Sequence, residues 1–228
     1  MYTNRKHKLL KISAFLLISF CILFILFPSK ENQNNIDEIF FKTISIEITD
    51  ITNSKYYGTG LLYDNSNIIT VSHLFPGGSE NIKSIKMTNG ELDFEFEDIQ
   101  KINPELDLAL ISIKNKDFKI DSSLYEKSLN YGDEIRFFGN TNGYGLTYKE
   151  GLIAKPVSTM KYQGKERRVF FISNSVNKGE SGSPVFNKSN ELIGILSFKM
   201  NDSLGNEINE FSAIIPVESI MRFLETDN

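Results

Sequence analysis

The sequence predicts an all-β protein of two antiparallel barrels that ends in one helix and is preceded by one membrane-spanning helix. Three observations carry that prediction. Short apolar or alternating runs recur from residue 43 to residue 217, separated by turn formers. The runs fall into two sets, divided near residue 128, which suits two barrels or a sandwich. The first thirty residues have a different composition, with a basic flank and then an uncharged stretch.

That stretch runs from Ile12 to Ser29 behind Arg5, Lys6, Lys8 and Lys11, and Lys30 closes it. As a helix it reaches about 27 Å, close to a hydrocarbon core of about 30 Å. The basic flank keeps the N-terminus cytoplasmic and sends the remainder across. No small-residue cleavage site follows, since "FPSKE" (27–31) is a poor one. The expectation is therefore an uncleaved anchor, with a secreted product if the segment is removed. The divisions are 1–30 for the cytoplasmic tip and anchor, 31–37 for a polar linker, 38–128 for the first barrel and 129–228 for the second barrel and helix.

Five of the chain's 25 Lys and Arg precede Glu31 and none of its 29 Asp and Glu do, so the exported part carries a net charge of −9. An acidic domain lacks the basic footprint that nucleic acid requires. The one cysteine, Cys21, lies in the anchor, so no disulfide staples the exported part.

In the first set, "TISIEIT" (43–49) alternates Ile44, Ile46 and Ile48 with polar neighbours. "YGTGLLYD" (57–64) and "NIITVSH" (67–73) follow, joined through Asp64, Asn65 and Ser66. "ELDFEFED" (91–98) places Leu92, Phe94 and Phe96 on one face, and its acidic residues read as a solvated face in preference to a metal site. "DLALISI" (107–113) is apolar enough for a central strand. The second set is "DEIRFFG", "LTYKEGLIAKPV", "RRVFFIS", "SPVFN", "ELIGILSF" and "EFSAIIPV", with "KYQGKERR" (161–168) as a charged hairpin tip. "PVESIMRFLE" (216–225) reads as a helix: Pro216 opens it, and Val217, Ile220, Met221 and Leu224 recur at helical spacing.

The chemistry centres on "KGESGSPVF" (178–186), where Ser181 stands between Gly179 and Gly182 with Pro184 close behind. Without a Cβ, Gly179 can turn its N–H toward a reacting carbonyl, and the Ser181 N–H would make a second donor. A serine nucleophile needs a base. The chain has two histidines, and His7 lies before the membrane segment, which leaves His73 at the end of "NIITVSH". Asp107 opens an apolar strand, where a carboxylate is costly to bury without a partner such as a histidine ring nitrogen. The order His, Asp, Ser, with Ser183 in place of a second glycine, does not fit G-x-S-x-G hydrolases, whose histidine comes last.

Residues 40–225 resemble trypsin-like serine peptidases, nearest their disulfide-free bacterial branches, the HtrA-type proteases and the glutamyl endopeptidases. The resemblance rests on "GTGLLYDNSNIITVSH", "ELDLALISI", "GDEIRFFGNTNG" and "GESGSPVFNKSNELIGIL". It implies His73 as general base and acid, Asp107 as its orienter, Ser181 as nucleophile, and the Gly179 and Ser181 amides as the oxyanion hole. It implies a polypeptide substrate and no cofactor or metal. Glu180 departs from the Asp or Asn usual before the nucleophile. Four residues fall at substrate-binding positions. Ser175 stands at the pocket floor, where its lack of charge disfavours a tryptic preference. Leu196 replaces the histidine with which glutamyl endopeptidases bind a carboxylate. The backbone of Ser197–Lys199 would pair with substrate as an added strand, and Lys199 stands where many relatives carry glycine. The competing expectation is a catalytically silent module of the same fold that binds peptides or a partner.

Overall fold

Alternation along the first half of the chain builds one sheet. The computed structural model describes residues 30–114, 124, 128–162, 165–201 and 207–226. The apolar run 12–29 lies outside them, and among the described residues no helix is long and apolar enough to cross a membrane. Residues 31–37, read as a linker, fall within helix α1 (Lys30–Phe41). From Ile39 onward the chain forms one compact unit.

Strands β1 (Thr43–Asp50), β2 (Lys55–Leu62), β3 (Asn67–Thr70), β4 (Ile82–Thr88), β5 (Asp93–Phe94), β6 (Phe96–Asn103) and β7 (Leu108–Ile113) form a seven-stranded sheet in the order β5-β4-β1-β2-β3-β7-β6. Its neighbours pair antiparallel. The period-two pattern decides which side is buried: Ile44, Ile46 and Ile48 all face inward, with Leu61, Ile68 and Ile111. The expected first barrel is not closed by hydrogen bonds. Its edge strands β5 and β6 are joined by Glu95 alone, and consecutive Cα atoms are only about 3.8 Å apart. The sheet therefore curls until its edges meet at that residue, and a strand of two residues offers no ladder to complete the ring. Within "ELDFEFED" Phe94 is buried, Phe96 is half-buried and Leu92 is exposed, because Leu92 lies in the turn before β5 and Glu95 breaks the strand between Phe94 and Phe96.

The second set closes fully. Strands β8 (Glu134–Asn140), β9 (Leu146–Tyr162), β10 (Lys165–Ile172), β11 (Pro184–Asn187), β12 (Leu192–Asn201) and β13 (Glu207–Pro216) run round a barrel in the order β10-β13-β12-β11-β8-β9. Ile135, Phe137, Ile153, Phe170, Ile172, Val176, Val185, Ile193, Leu196 and Ile214 fill it. Each such side chain contributes about 1.5–3 kcal/mol on leaving water, which must supply the stability that no disulfide provides here. The expected hairpin at 161–168 is present as the register Lys165↔Tyr162.

Helix α2 (Val217–Glu225) has Pro216 as its N-cap. Val217, Ile220 and Phe223 carry its buried face, whereas Met221 and Leu224 are only half-buried. The helix thus sits rotated toward Phe223, whose ring lies 5.1 Å from Lys101 Nζ, a cation–π distance.

Candidate active site

His73 reaches its place through a turn. Strand β3 ends at Thr70, and Ser72–Leu74 form a 3-10 turn with Ser72 and Leu74 buried. Those two anchors leave the imidazole between them partly open, 35 % of its side chain exposed. The sequence reading placed His73 at a strand end. An apolar run such as "IITVSHLF" looks the same whether it is buried as strand or as turn.

Asp107 precedes β7 and is 1 % exposed. Its φ of 58° lies in the left-handed region, which Asp tolerates better than most residues. That backbone aims the carboxylate back at the turn. His73 Nδ1 lies 3.0 Å from each carboxylate oxygen, and the His73 backbone N–H donates to Oδ1 at 3.1 Å. Two hydroxyls also donate: Ser72 to Oδ1 at 3.0 Å and Ser197 to Oδ2 at 2.5 Å. Burial opposes ionisation of Asp107, but the hydrogen bond and charge of His73, with Ser197 and the His73 N–H, outweigh it. The carboxyl is held below its ordinary 3.8. An ionised Asp107 fixes the proton on Nδ1 and leaves Nε2 as the acceptor.

Ser181 lies on a turn clamped to both lobes. Its carbonyl accepts the Thr59 N–H at 2.8 Å, and the Gly182 N–H donates to the Leu196 carbonyl at 2.7 Å. The approach is so close that a Cβ on Gly182 would sit 1.8 Å from Thr59 O and 2.4 Å from Thr70 Oγ1, at a φ of +91°. Gly179 is constrained in the same way, with a φ of +90° and Asn140 O 2.1 Å from any Cβ. The Lys178 carbonyl accepts the Asn142 N–H at 2.7 Å. In a planar trans peptide the Gly179 N–H therefore points away from Asn142. The Glu180 carbonyl is likewise engaged, by the N–H and hydroxyl of Ser183 at 3.1 and 2.7 Å, which turns the Ser181 N–H the other way. Among the described residues neither amide has an acceptor.

The carboxylate of Asp107 thus joins His73 to Ser197, whose neighbour Leu196 is bonded to Gly182, next to Ser181. Among the described residues His73 and Ser181 share no hydrogen bond: the ring's polar contacts all run to Asp107.

The four substrate-binding positions separate. Ser175 is exposed, and its carbonyl accepts Lys149 Nζ at 3.2 Å. Leu196 is fully buried in the barrel core. The Ser197 hydroxyl serves Asp107, a role the sequence reading missed because only its backbone was assigned. The Lys199 backbone pairs with Ser212, and its side chain lies outside the described residues. Also missed were Ser72, Thr59 and the partners of Glu180. A glutamate beside a candidate nucleophile in an apolar strand–turn motif is itself a signal that a cation must meet it.

Comparison with known proteins agrees with this fold. Residues 58–195 match the trypsin-like peptidase domain. The chain is 30 % identical over 174 residues to a serine protease HtrA-like protein of Staphylococcus haemolyticus, covering 70 % of this chain and 27 % of that one. It is 30 % identical over 147 residues to the serine protease Do-like HtrB of Bacillus subtilis, covering 61 % and 31 %. It therefore spans about a third or less of the length of these two relatives. The crystal structure of the Rv3671c protease from M. tuberculosis in its active form superposes with a TM-score of 0.73 at 16 % identity, covering 87 % of this chain and 86 % of that one, a likeness of fold. With more than half of its length matched by the family and its curated relatives of the HtrA and Do-like kind, the chain belongs to the trypsin-like peptidase family.

Proposed function

We propose that this chain is a serine endopeptidase that cleaves polypeptides through an acyl-enzyme, with His73, Asp107 and Ser181 as its triad. The observation that carries the reading is the grip of Asp107 on His73 Nδ1, which leaves Nε2 free to act as a base. Its relatives' names, both serine proteases, support the same chemistry.

In this mechanism Ser181 Oγ attacks the scissile carbonyl carbon while His73 Nε2 takes the hydroxyl proton. The imidazolium is stabilised by Asp107, which stays ionised. The carbonyl oxygen becomes an oxyanion that accepts the Gly179 and Ser181 N–H groups. His73 then gives its proton to the leaving amine as the C–N bond breaks, leaving Ser181 acylated. Water attacks that ester with His73 again as base, and the acid product and free Ser181 are released. Substrate pairs along the Ser197–Lys199 backbone. Residues 12–29 anchor the chain, so that the catalytic unit acts outside the cytoplasm.

A fluorophosphonate probe tests the assignment. Labelling of the wild type that is lost in Ser181→Ala and His73→Ala is the expected result, and a folded wild type that resists the probe overturns it. The alternative, a silent peptide-binding module, draws on the missing His73–Ser181 hydrogen bond and predicts that resistance. Nucleophile–base contacts in a free enzyme are often long and tighten only with substrate bound, which favours the catalytic reading. Membrane extraction of the full chain against a chain starting at Glu31 tests the anchor.

A further inference from the structure

We propose that Lys149 is a positioning residue that holds the oxyanion turn in its working shape through Glu180. The proposal rests on the peptidase reading of Ser181. Glu180 lies between Gly179 and Ser181, the two amide donors, and is 0 % exposed. A buried carboxylate persists only when paired and hydrogen-bonded. Lys149 Nζ lies 2.7 Å from Oε1 and 2.8 Å from Oε2. Thr141 Oγ1 donates to Oε1 at 2.6 Å, and the Asn177 N–H donates to Oε2 at 2.9 Å. The Asn177 side-chain amide adds a longer contact at 3.4 Å.

The cation and the Thr141 hydroxyl come from one hairpin. Lys149 is on β9, opposite Phe137 of β8, and Thr141 lies in the connection between the two strands. Gly139 of β8 makes the room, since a Cβ there would stand 2.8 Å from Glu180 Cγ. The same ammonium donates to the Ser175 carbonyl at 3.2 Å. One side chain therefore ties Ser175 and Glu180, at the two ends of the pre-nucleophile loop, to the barrel wall. Without it Glu180 has reason to leave the interior. Because Glu180 is flanked by both donors, its exit would swing the Gly179 N–H off the position where the oxyanion forms.

The test compares Lys149→Met, Lys149→Arg and the pair Lys149→Met with Glu180→Gln, reading kcat, KM and thermal midpoint. Lys149→Met is expected to lower kcat by about 10²–10³, the cost of losing one oxyanion donor, with KM changed only a few-fold. Lys149→Arg should recover at least a tenfold part of that loss. The double variant should regain thermal midpoint, since no charge is left unpaired, but not kcat. A folded Lys149→Met with kcat within threefold of wild type overturns the proposal, as does a double variant in which kcat and midpoint recover together. Should Lys149→Met not fold, Thr141→Val removes one donor to the same carboxylate; a kcat about tenfold lower supports the proposal and an unchanged kcat overturns it. If the wild type neither hydrolyses peptides nor takes the probe, the peptidase reading fails separately. The latch is then read from the Gly179 and Ser181 amide resonances, which move in Lys149→Met and hold in Lys149→Arg if it exists, and stay unmoved in both if it does not.

Discussion

The Ser197 hydroxyl donates at 2.5 Å to Oδ2 of Asp107, the oxygen that also faces His73 Nδ1. Ser197 is on β12 of the barrel and Asp107 just precedes β7 of the other sheet, so the barrel wall itself takes part in holding the histidine's partner. Ser72 donates to the other oxygen, and the carboxylate is left little freedom to turn.

The first prediction follows from that grip. Asp107→Asn presents an amide where Nδ1–H needs an acceptor and so favours the wrong imidazole tautomer; kcat should fall on the order of 10⁴ with KM little changed. Ser197→Ala, which leaves the carboxylate its other donors, should cost about tenfold. Steady-state kinetics on one peptide substrate separate the two. An Asp107→Asn variant within tenfold of wild type would remove Asp107 from the mechanism.

The acid limit of stability should depend on the same group. The Asp107 carboxyl sits below its ordinary 3.8 in the folded protein. A group whose folded value is depressed adds stability that is fully present above its unfolded value and is lost as pH falls through the folded one. The thermal midpoint of wild type should therefore fall as pH drops below about 4. Asp107→Asn should have a flatter profile in that window. Parallel profiles for the two proteins would contradict the shift.

Gly182 has no room for a side chain. Gly182→Ala must place a methyl against the Thr59 carbonyl at a left-handed φ, so backbone strain of about 1–3 kcal/mol adds to a clash. Chemical denaturation should show a destabilisation of at least that size. Gly78 also has a positive φ but has nothing within 4 Å of its Cβ position, so Gly78→Ala should lose less. Equal losses would mean that the close approach is not what selects glycine.

Cleavage preference gives a fourth expectation. Ser175 offers no charge and Leu196 is spent on the barrel core. Cut sites in a peptide library, read by mass spectrometry against Ser181→Ala, should not concentrate after Lys, Arg or Glu. A dominant cut after any of these would show that a charge from elsewhere reaches the pocket.

Much of this arrangement is legible along the chain, and the legible part has a common cause. Alternation marks β1, because one face of that strand is buried and the other is not. The segment "IKSIKMT" of β4 passes unremarked because its exposure is irregular, with only Met87 fully buried. The nucleophile motif stands out because glycines and serine must be adjacent in sequence to share one turn. The distant partners of Glu180 leave no such mark, since Lys149 and Thr141 are more than thirty residues away and look like ordinary strand and turn residues.

The amino-acid order alone determined the strand content, the two lobes, and which histidine, aspartate and serine were candidates, since burial patterns and turn motifs are local properties of a chain. Folding decided that one lobe is an incompletely closed sheet, that His73 rides a turn, and that Ser197 and Lys149 steady the groups beside them. Those outcomes depend on contacts between segments distant along the chain, where a hydrogen bond or ion pair is made by geometry that no short stretch of sequence contains.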